Sequence, residues 1–256
     1  MLHIIGLGPG APDLLTPRAA AALAQATDLV GYGPYVDRVP GAAIRHASDN
    51  RVELDRARHA LTLAAGGRRV AVVSSGDAGV FAMASAVFEA IEHGPPPWRA
   101  LEVEVIPGIS AMLAVAARVG APLGGDFCAI SLSDNLKPWD VVLARLRAAA
   151  AAGFAIALYN PLSHARPWQL GAAFAALRDV LPGTVPVVFA TAVSRDERVD
   201  IATLAEADPA RADMRTLVLI GTEATRTIRH AGGVWIYAPR SHASASATEV
   251  ASDASA

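Results

Sequence analysis

Leu2-His-Ile-Ile-Gly-Leu-Gly-Pro-Gly10 begins as an apolar, β-type run and ends in a turn that holds three glycines and a proline. A short apolar run closed by glycine reads as a strand feeding a tight turn. Leu29 to Tyr32, Arg69 to Ser74 and Leu101 to Ile106 repeat the pattern, each bounded by Gly, Pro or Ser, with helical stretches between them. Thr16 before Pro17 is an N-cap with proline at the first helical position, so Pro17 to Ala26 is expected to be a helix. Gly79 to Glu92 and Ile109 to Val119 carry apolar residues at helical spacing and follow strands directly. Alternation of this kind implies an α/β sheet.

Gly120-Ala-Pro-Leu-Gly-Gly125 is turn-rich and is the candidate linker. Beyond it the alternation restarts. Phe127 to Leu132, Phe154 to Tyr159, Val185 to Ala190, Thr216 to Ile220 and Val234 to Tyr237 read as strands, and Trp139 to Ala152 and Pro167 to Leu181 as helices. The expected architecture is an N-terminal α/β domain over 1–121 and a C-terminal α/β domain over 122–240, with a ligand cleft between them. Residues 241–256 are almost entirely Ser, Ala, Thr and acidic residues without apolar periodicity, and are expected to be disordered.

Composition narrows the function. Of 256 residues, 53% are hydrophobic, but much of that is alanine, and no apolar run approaches the ~20 residues of a spanning helix. No membrane association is expected. The first residues show no basic region followed by an apolar one, so a cytoplasmic location is the default expectation. With 22 Lys+Arg against 24 Asp+Glu and no basic stripe, nucleic acid is not the expected partner. The single cysteine, Cys128, and the lack of a Cys/His cluster leave no metal site expected. Cys128 lies within an expected strand and suits a small core residue better than a nucleophile.

Three loops carry the chemical signal. The letters of Gly6-Leu-Gly-Pro-Gly10, continued to Ala11, fit the dinucleotide fingerprint G-x-G-x-x-[G/A]. Against a nicotinamide cofactor, Pro12 delays the helix to Thr16, and the second strand does not end on a ribose-binding acid. Ser74-Ser-Gly-Asp-Ala-Gly79 follows a strand and exposes backbone around one carboxylate, Asp77, which reads either as a ligand contact or as a helix cap. Val105-Ile-Pro-Gly-Ile-Ser-Ala111 is again strand, turn and helix start.

In this order the three loops resemble the tetrapyrrole methyltransferase family, a two-domain α/β class of S-adenosylmethionine (SAM) enzymes distinct from Rossmann-type methyltransferases. The resemblance covers roughly residues 2 to 238. Gly31-Tyr-Gly-Pro-Tyr-Val36, Ser75 to Phe81, Gly125 to Trp139 and Leu158-Tyr-Asn-Pro-Leu-Ser163 are similar to its ring-contracting corrin branch. That branch implies transfer of the SAM methyl to ring carbon 17 of precorrin-3B with contraction to precorrin-4, in cobalamin biosynthesis. A relative acting on cobalt-factor III or on another ring carbon is the alternative. A nicotinamide-dependent oxidoreductase or a silent tetrapyrrole-binding protein is a weaker one. The resemblance places SAM contacts on Pro9, Gly76, Asp77, Val80, Ser110, Ala111, Tyr159, Asn160, Ala192, Thr216 and Leu217. Ala192 stands where relatives often have glycine, and Ala78 where many have proline. A homodimer, and a partner enzyme that hydroxylates the ring beforehand, are implied in the same way.

Methyl transfer from a sulfonium is an in-line displacement, so positioning carries most of the catalysis. Asp77 would engage the ribose or the amino group. Ring contraction also moves protons, for which Asp134, Asn135, Lys137 and His46 are the candidate acid or base. Ser131 and Ser133 either hydrogen-bond the substrate or end a strand. Lys137, Arg166, Arg195 and Arg198 are candidates for the substrate's many carboxylates.

Overall fold

In the computed structural model, which describes residues 1–163 and 165–241, β1 (Leu2–Gly6) lies inside a five-stranded parallel sheet. The other strands are β2 (Asp28–Tyr32), β3 (Ile44–Ser48), β4 (Val70–Ser74) and β5 (Val103–Ile106), in the order β3-β2-β4-β1-β5. The helices are α1 (Pro17–Gln25), the single turn α2 (Gly33–Val36), α3 (Glu53–Ala65), α4 (Met83–His93) and α5 (Ala111–Val119). Strands buried on both faces read as continuous apolar runs, which is why LHIIG and VAVVS look alike. Their alternating side chains divide between the faces. Leu2, Ile4, Val70 and Val72 pack under Leu61 of α3 and Val87 of α4, whereas Ile5, Ala71, Val73 and Ile106 pack with Ala19 and Ala22 of α1. Each fully buried Ile or Leu contributes about 2 kcal/mol.

This first compact unit comprises Met1–Val115 together with Ala192–Arg198. The boundary therefore falls inside α5, and a short downstream segment returns to the first unit, whereas the sequence suggested one break after residue 121. The expected linker is partly ordered as β6 (Gly120–Ala121), which pairs with β13 (Gly233–Tyr237).

The second unit runs over Ala116–Thr191 and onward from Val199. Its strands β7 (Phe127–Ser131), β8 (Ala155–Tyr159), β9 (Pro186–Thr191), β10 (Arg198–Thr203) and β11 (Thr216–Ile220) are ordered β10-β9-β11-β8-β7. β7 and β8 are parallel, and β11 runs antiparallel to both β8 and β9. α6 (Trp139–Ala151) and α7 (Gln169–Arg178) cover this sheet, with Phe174 edge-on to Phe189 at 5.8 Å between ring centroids. β12 (Arg226–His230) joins β13 and β6 in a small third sheet. Among the described residues no helix is long and apolar enough to cross a membrane. Of the tail expected to be disordered, residues 242–256 lie outside the described residues.

Candidate active site

Because β4, β1 and β5 are neighbours, the segments 6–10, 74–79 and 107–111 leave the same edge of the first sheet side by side. This is the edge at which open α/β sheets bind ligands. The first two loops are stitched together: the Gly8 N–H donates to the Gly76 carbonyl at 3.0 Å, and the Gly76 N–H to the Gly8 carbonyl at 2.8 Å. The third loop presses against both. A Cβ on Gly108 would stand 2.3 Å from the Gly76 oxygen and 2.7 Å from the Gly6 oxygen, and one on Gly6 2.6 Å from the Gly76 oxygen. No side chain fits at these contacts. Backbone alone lines the junction.

Asp77 ties the second loop down. Its Oδ1 accepts from the Gly79 N–H at 2.8 Å and its Oδ2 from the Gly108 N–H at 3.0 Å. It does not cap a helix, because α4 starts only at Met83, with Ala82 at the N-cap position. The expected start at Gly79 is displaced because the local turn closed by Asp77, followed by Phe81 at φ +51°, holds residues 77–81 out of helical geometry. Val80 lies in that turn, its N–H donating to the Asp77 carbonyl at 3.4 Å. Ser110 is buried, and its Cα lies 3.7 Å from where a Cβ of Gly76 would be, next to Ala111. Pro9 is buried beside the bridge. The glycine loop opens no α-helix: a 3-10 turn at Pro12–Leu14 intervenes before α1, unlike the strand-turn-helix junction of a dinucleotide fold.

Ala192 and Ser194 belong to the segment that groups with the first unit, and the Ser194 hydroxyl accepts from the Ala11 N–H at 3.1 Å. Phe81, Asn160, Ala192 and Ser194 have φ of +51°, +52°, +50° and +69°. Left-handed backbone at non-glycine residues concentrates where a ligand is held. At Ala192 it is a conformation that glycine adopts more readily than alanine.

In the second unit, Tyr159 and Asn160 end β8, and β11 runs beside it with Val218 opposite Leu158. Thr216 and Leu217 therefore lie at the same end of the sheet. The Thr216 hydroxyl is fully engaged, with Thr191 Oγ1 at 2.7 Å, Asp213 Oδ1 at 3.0 Å and the Asp213 N–H at 2.8 Å. Asn160 Nδ2 donates to Ser131 Oγ at 2.9 Å, as does the Ser133 N–H at 3.3 Å.

Three of the four expected acid-base candidates, Asp134, Asn135 and Lys137, share the loop after β7. Lys137 Nζ donates to the Ser131 carbonyl at 2.7 Å, and burial draws its ammonium below the usual lysine range. Asp134 and Asn135 both accept from Arg166 Nη1, and that guanidinium holds the Asp134 carboxyl below the usual carboxylate range. An ionised, paired Asp134 suits a base or a positioning group rather than a neutral-pH acid. Arg166, from the segment after β8, thus ties that segment to the loop after β7. His46 is placed elsewhere, on the outermost strand β3, with Nε2 2.9 Å from Asp28 Oδ1 and Nδ1 3.0 Å from His59 Nε2. Cys128 is half-buried among core neighbours, and burial pushes its thiol up, away from nucleophile character. Gly6 and Gly108 were not singled out from sequence, because a collision between distant loops leaves no local signal.

The sequence model for Tetrapyrrole (Corrin/Porphyrin) Methylases matches residues 1–208. A Sinorhizobium protein named precorrin-3B C(17)-methyltransferase is 58% identical over 249 residues, covering 96% of this chain and 98% of its own. The crystal structure of the methyltransferase CobJ superposes with a TM-score of 0.89 at 53% identity, covering 93% of this chain and 99% of its own. Uroporphyrin-III C-methyl transferase from Thermus thermophilus, solved with S-adenyl homocysteine, shares the fold at a TM-score of 0.63 and 21% identity, covering 86% of this chain and 91% of its own. The ordered glycine loops, their meeting at one sheet edge and these likenesses agree: the chain belongs to the tetrapyrrole methylases and is a methyltransferase of that family.

Proposed function

We propose that this protein transfers the methyl group of SAM to carbon 17 of precorrin-3B, with contraction of the ring to precorrin-4, in cobalamin biosynthesis. The observation that carries this reading is the 58% identity, across nearly the whole of both chains, with the protein named precorrin-3B C(17)-methyltransferase. The residues present suit SAM. The junction of Gly6, Gly76 and Gly108 is bare backbone, and the carboxylate beside it is already hydrogen-bonded through both oxygens. Such a junction puts a close-packed backbone floor, rather than a second strong charge, beside a cationic ligand.

SAM supplies an electrophilic methyl on a sulfonium; the chain's own part is to hold and orient. Pro9, Gly76, Val80, Ser110, Ala111 and Ala192 are the proposed contacts on the first unit; Tyr159, Asn160, Thr216 and Leu217 are those on the second. Thr216 acts there through its main chain, because its hydroxyl is taken by Thr191 and Asp213. Asp77 serves chiefly to fix the loop, and its remaining lone pairs would accept from the ribose or the amino group. For ring contraction the proposed groups are Asp134, Asn135 and Lys137, with Lys137 the better proton carrier because burial moves it toward neutrality. A homodimer, a cytoplasmic location and a preceding ring-hydroxylating enzyme complete the reading.

Purified protein incubated with precorrin-3B and methyl-labelled SAM is expected to yield a labelled, ring-contracted product by mass spectrometry, with slower turnover of cobalt-factor III. Folded protein that leaves both tetrapyrroles unlabelled removes the proposal, and faster turnover of the cobalt compound reassigns the substrate.

A further inference from the structure

Arg38 follows α2 at the carboxyl end of β2, on the sheet edge from which the three loops also leave. Its guanidinium lies over the Tyr35 ring at 5.1 Å. Its Nε and Nη2 are shielded from solvent, and neither has a hydrogen-bond partner among the described residues. Arg56, buried in the same unit, is satisfied, donating to Ser48 Oγ and the Asp49 carbonyl, and even the exposed Arg45 donates to the carbonyls of Val36 and Val39. Shielded donors without an acceptor are costly and uncommon in folded proteins, and they mark places where a ligand completes the set.

A second cation stands nearby. Arg195 comes from the Ala192–Arg198 segment of the same unit, and its side chain lies across the first glycine loop, so that a Cβ on Gly10 would be 2.6 Å from its Cδ and Nε. Ser194 anchors the segment through the Ala11 N–H. Burial and the nearby Arg195 charge both lower the Arg38 pKa, and among the described residues neither guanidinium is paired with a carboxylate. Two like charges brought together from distant parts of the chain, without a counter-ion among the described residues, favour a bound anion.

We infer that Arg38 and Arg195 form a carboxylate-binding site at the edge of the first unit. The guanidinium fork matches a carboxylate in bidentate geometry. The ligands named under the proposed function offer two sources, the peripheral acetate and propionate groups of the macrocycle and the α-carboxylate of SAM, and the inference rests on that reading only for these names. The macrocycle is favoured because it carries many carboxylates that need partners.

The test uses Arg38→Met, Arg38→Lys and Arg195→Met in the full chain, with melting curves to check folding; Arg195, exposed, carries the test alone if Arg38→Met does not fold. Uroporphyrin III and its methyl ester are titrated by tryptophan fluorescence, S-adenosylhomocysteine by calorimetry, and precorrin-3B turnover is followed at saturating SAM. Each Met variant is expected to weaken uroporphyrin binding and raise KM for precorrin-3B about tenfold. kcat and S-adenosylhomocysteine affinity should stay within about twofold, the ester should bind wild type no better than the variants, and Arg38→Lys should recover part of the loss. A loss confined to S-adenosylhomocysteine supports the carboxylate site and assigns it to the methionine end. Variants that match wild type in every titration overturn the inference. A wild type that binds uroporphyrin through these arginines yet fails to methylate precorrin-3B overturns the proposed substrate instead.

Discussion

Asp77 accepts a hydrogen bond from the main-chain N–H of Gly108 at 3.0 Å, so a carboxylate of the second loop holds the start of the third. Removing it with Asp77→Ala leaves the Gly108 N–H without its acceptor and frees the Gly79 turn. The expected effect is about 1–2 kcal/mol of stability and roughly tenfold weaker S-adenosylhomocysteine binding by calorimetry. Asp77→Asn, which keeps one carbonyl oxygen, should recover part of both. Unchanged affinity in Asp77→Ala would mean the loop holds its shape without the tether.

Gly108→Ala introduces a methyl 2.3 Å from a carbonyl oxygen that cannot retreat without breaking the Gly8–Gly76 bridge. The expected cost is about 3 kcal/mol, a fall in melting temperature of roughly 10 °C. Gly33→Ala is the control, since nothing stands within 4 Å of its added Cβ, and it should melt within about 2 °C of wild type.

Ala192 holds φ +50° with a side chain that disfavours it. Ala192→Gly relieves about 1 kcal/mol of strain and loses a similar amount to the freer unfolded chain, so denaturant midpoints should nearly coincide. Ala192→Val, β-branched in the same conformation, should destabilise by more than about 1 kcal/mol. Equal midpoints for all three would show that the backbone there relaxes.

Asp28, 1% exposed, accepts from Arg68 at 2.6 Å and 3.0 Å, from Thr27, and from His46, and the Arg68 guanidinium holds its carboxyl far below the usual carboxylate range. A depressed folded pKa adds stability that is complete above the unfolded value near 4 and drains away as pH falls below it. Stability measured by urea from pH 7 to pH 3 should therefore drop at the acid end. Asp28→Ala should flatten that drop and cost about 2 kcal/mol at pH 7, the low side for a buried pair because Arg68 reaches solvent. A variant as acid-sensitive as wild type would assign the drop to other carboxylates.

The parts of the fold that were legible in the sequence are those where local chemistry and tertiary packing agree. Thr16 caps α1 through the Ala19 N–H at 3.2 Å, as Thr-Pro announces, and the helix ends within one residue of its expected end. The buried strands β1, β4, β8 and β11 announce themselves by apolar runs. β3, β10 and β12 do not, because IRHAS, RVDIAT and RTIRH are half polar. α3 has no side-chain cap and is held by packing of Ala57, Ala60, Leu61 and Ala64, which leaves no start signal to read. At the candidate site, the glycine loops and their place after strands β1, β4 and β5 were legible. The roles of Asp77 as a tether, of Thr216 as a tie to Thr191, and of the unsatisfied Arg38 were not, since each depends on a partner far along the chain.

The contacts among Gly6, Gly76 and Gly108 also bear on how such a protein can drift. At Gly6 and Gly108 the collision is with main chain, so shrinking a neighbour offers no relief, while Gly76 is held to glycine by its φ of +65°, and the three positions, spread over a hundred residues of sequence, behave as one inherited character. Randomising all three codons together should return glycine at each, with no compensating pairs. Variation among active homologous loops would be confined to residues on either side of the contact, where substrate preference can change while the floor of the site stays constant.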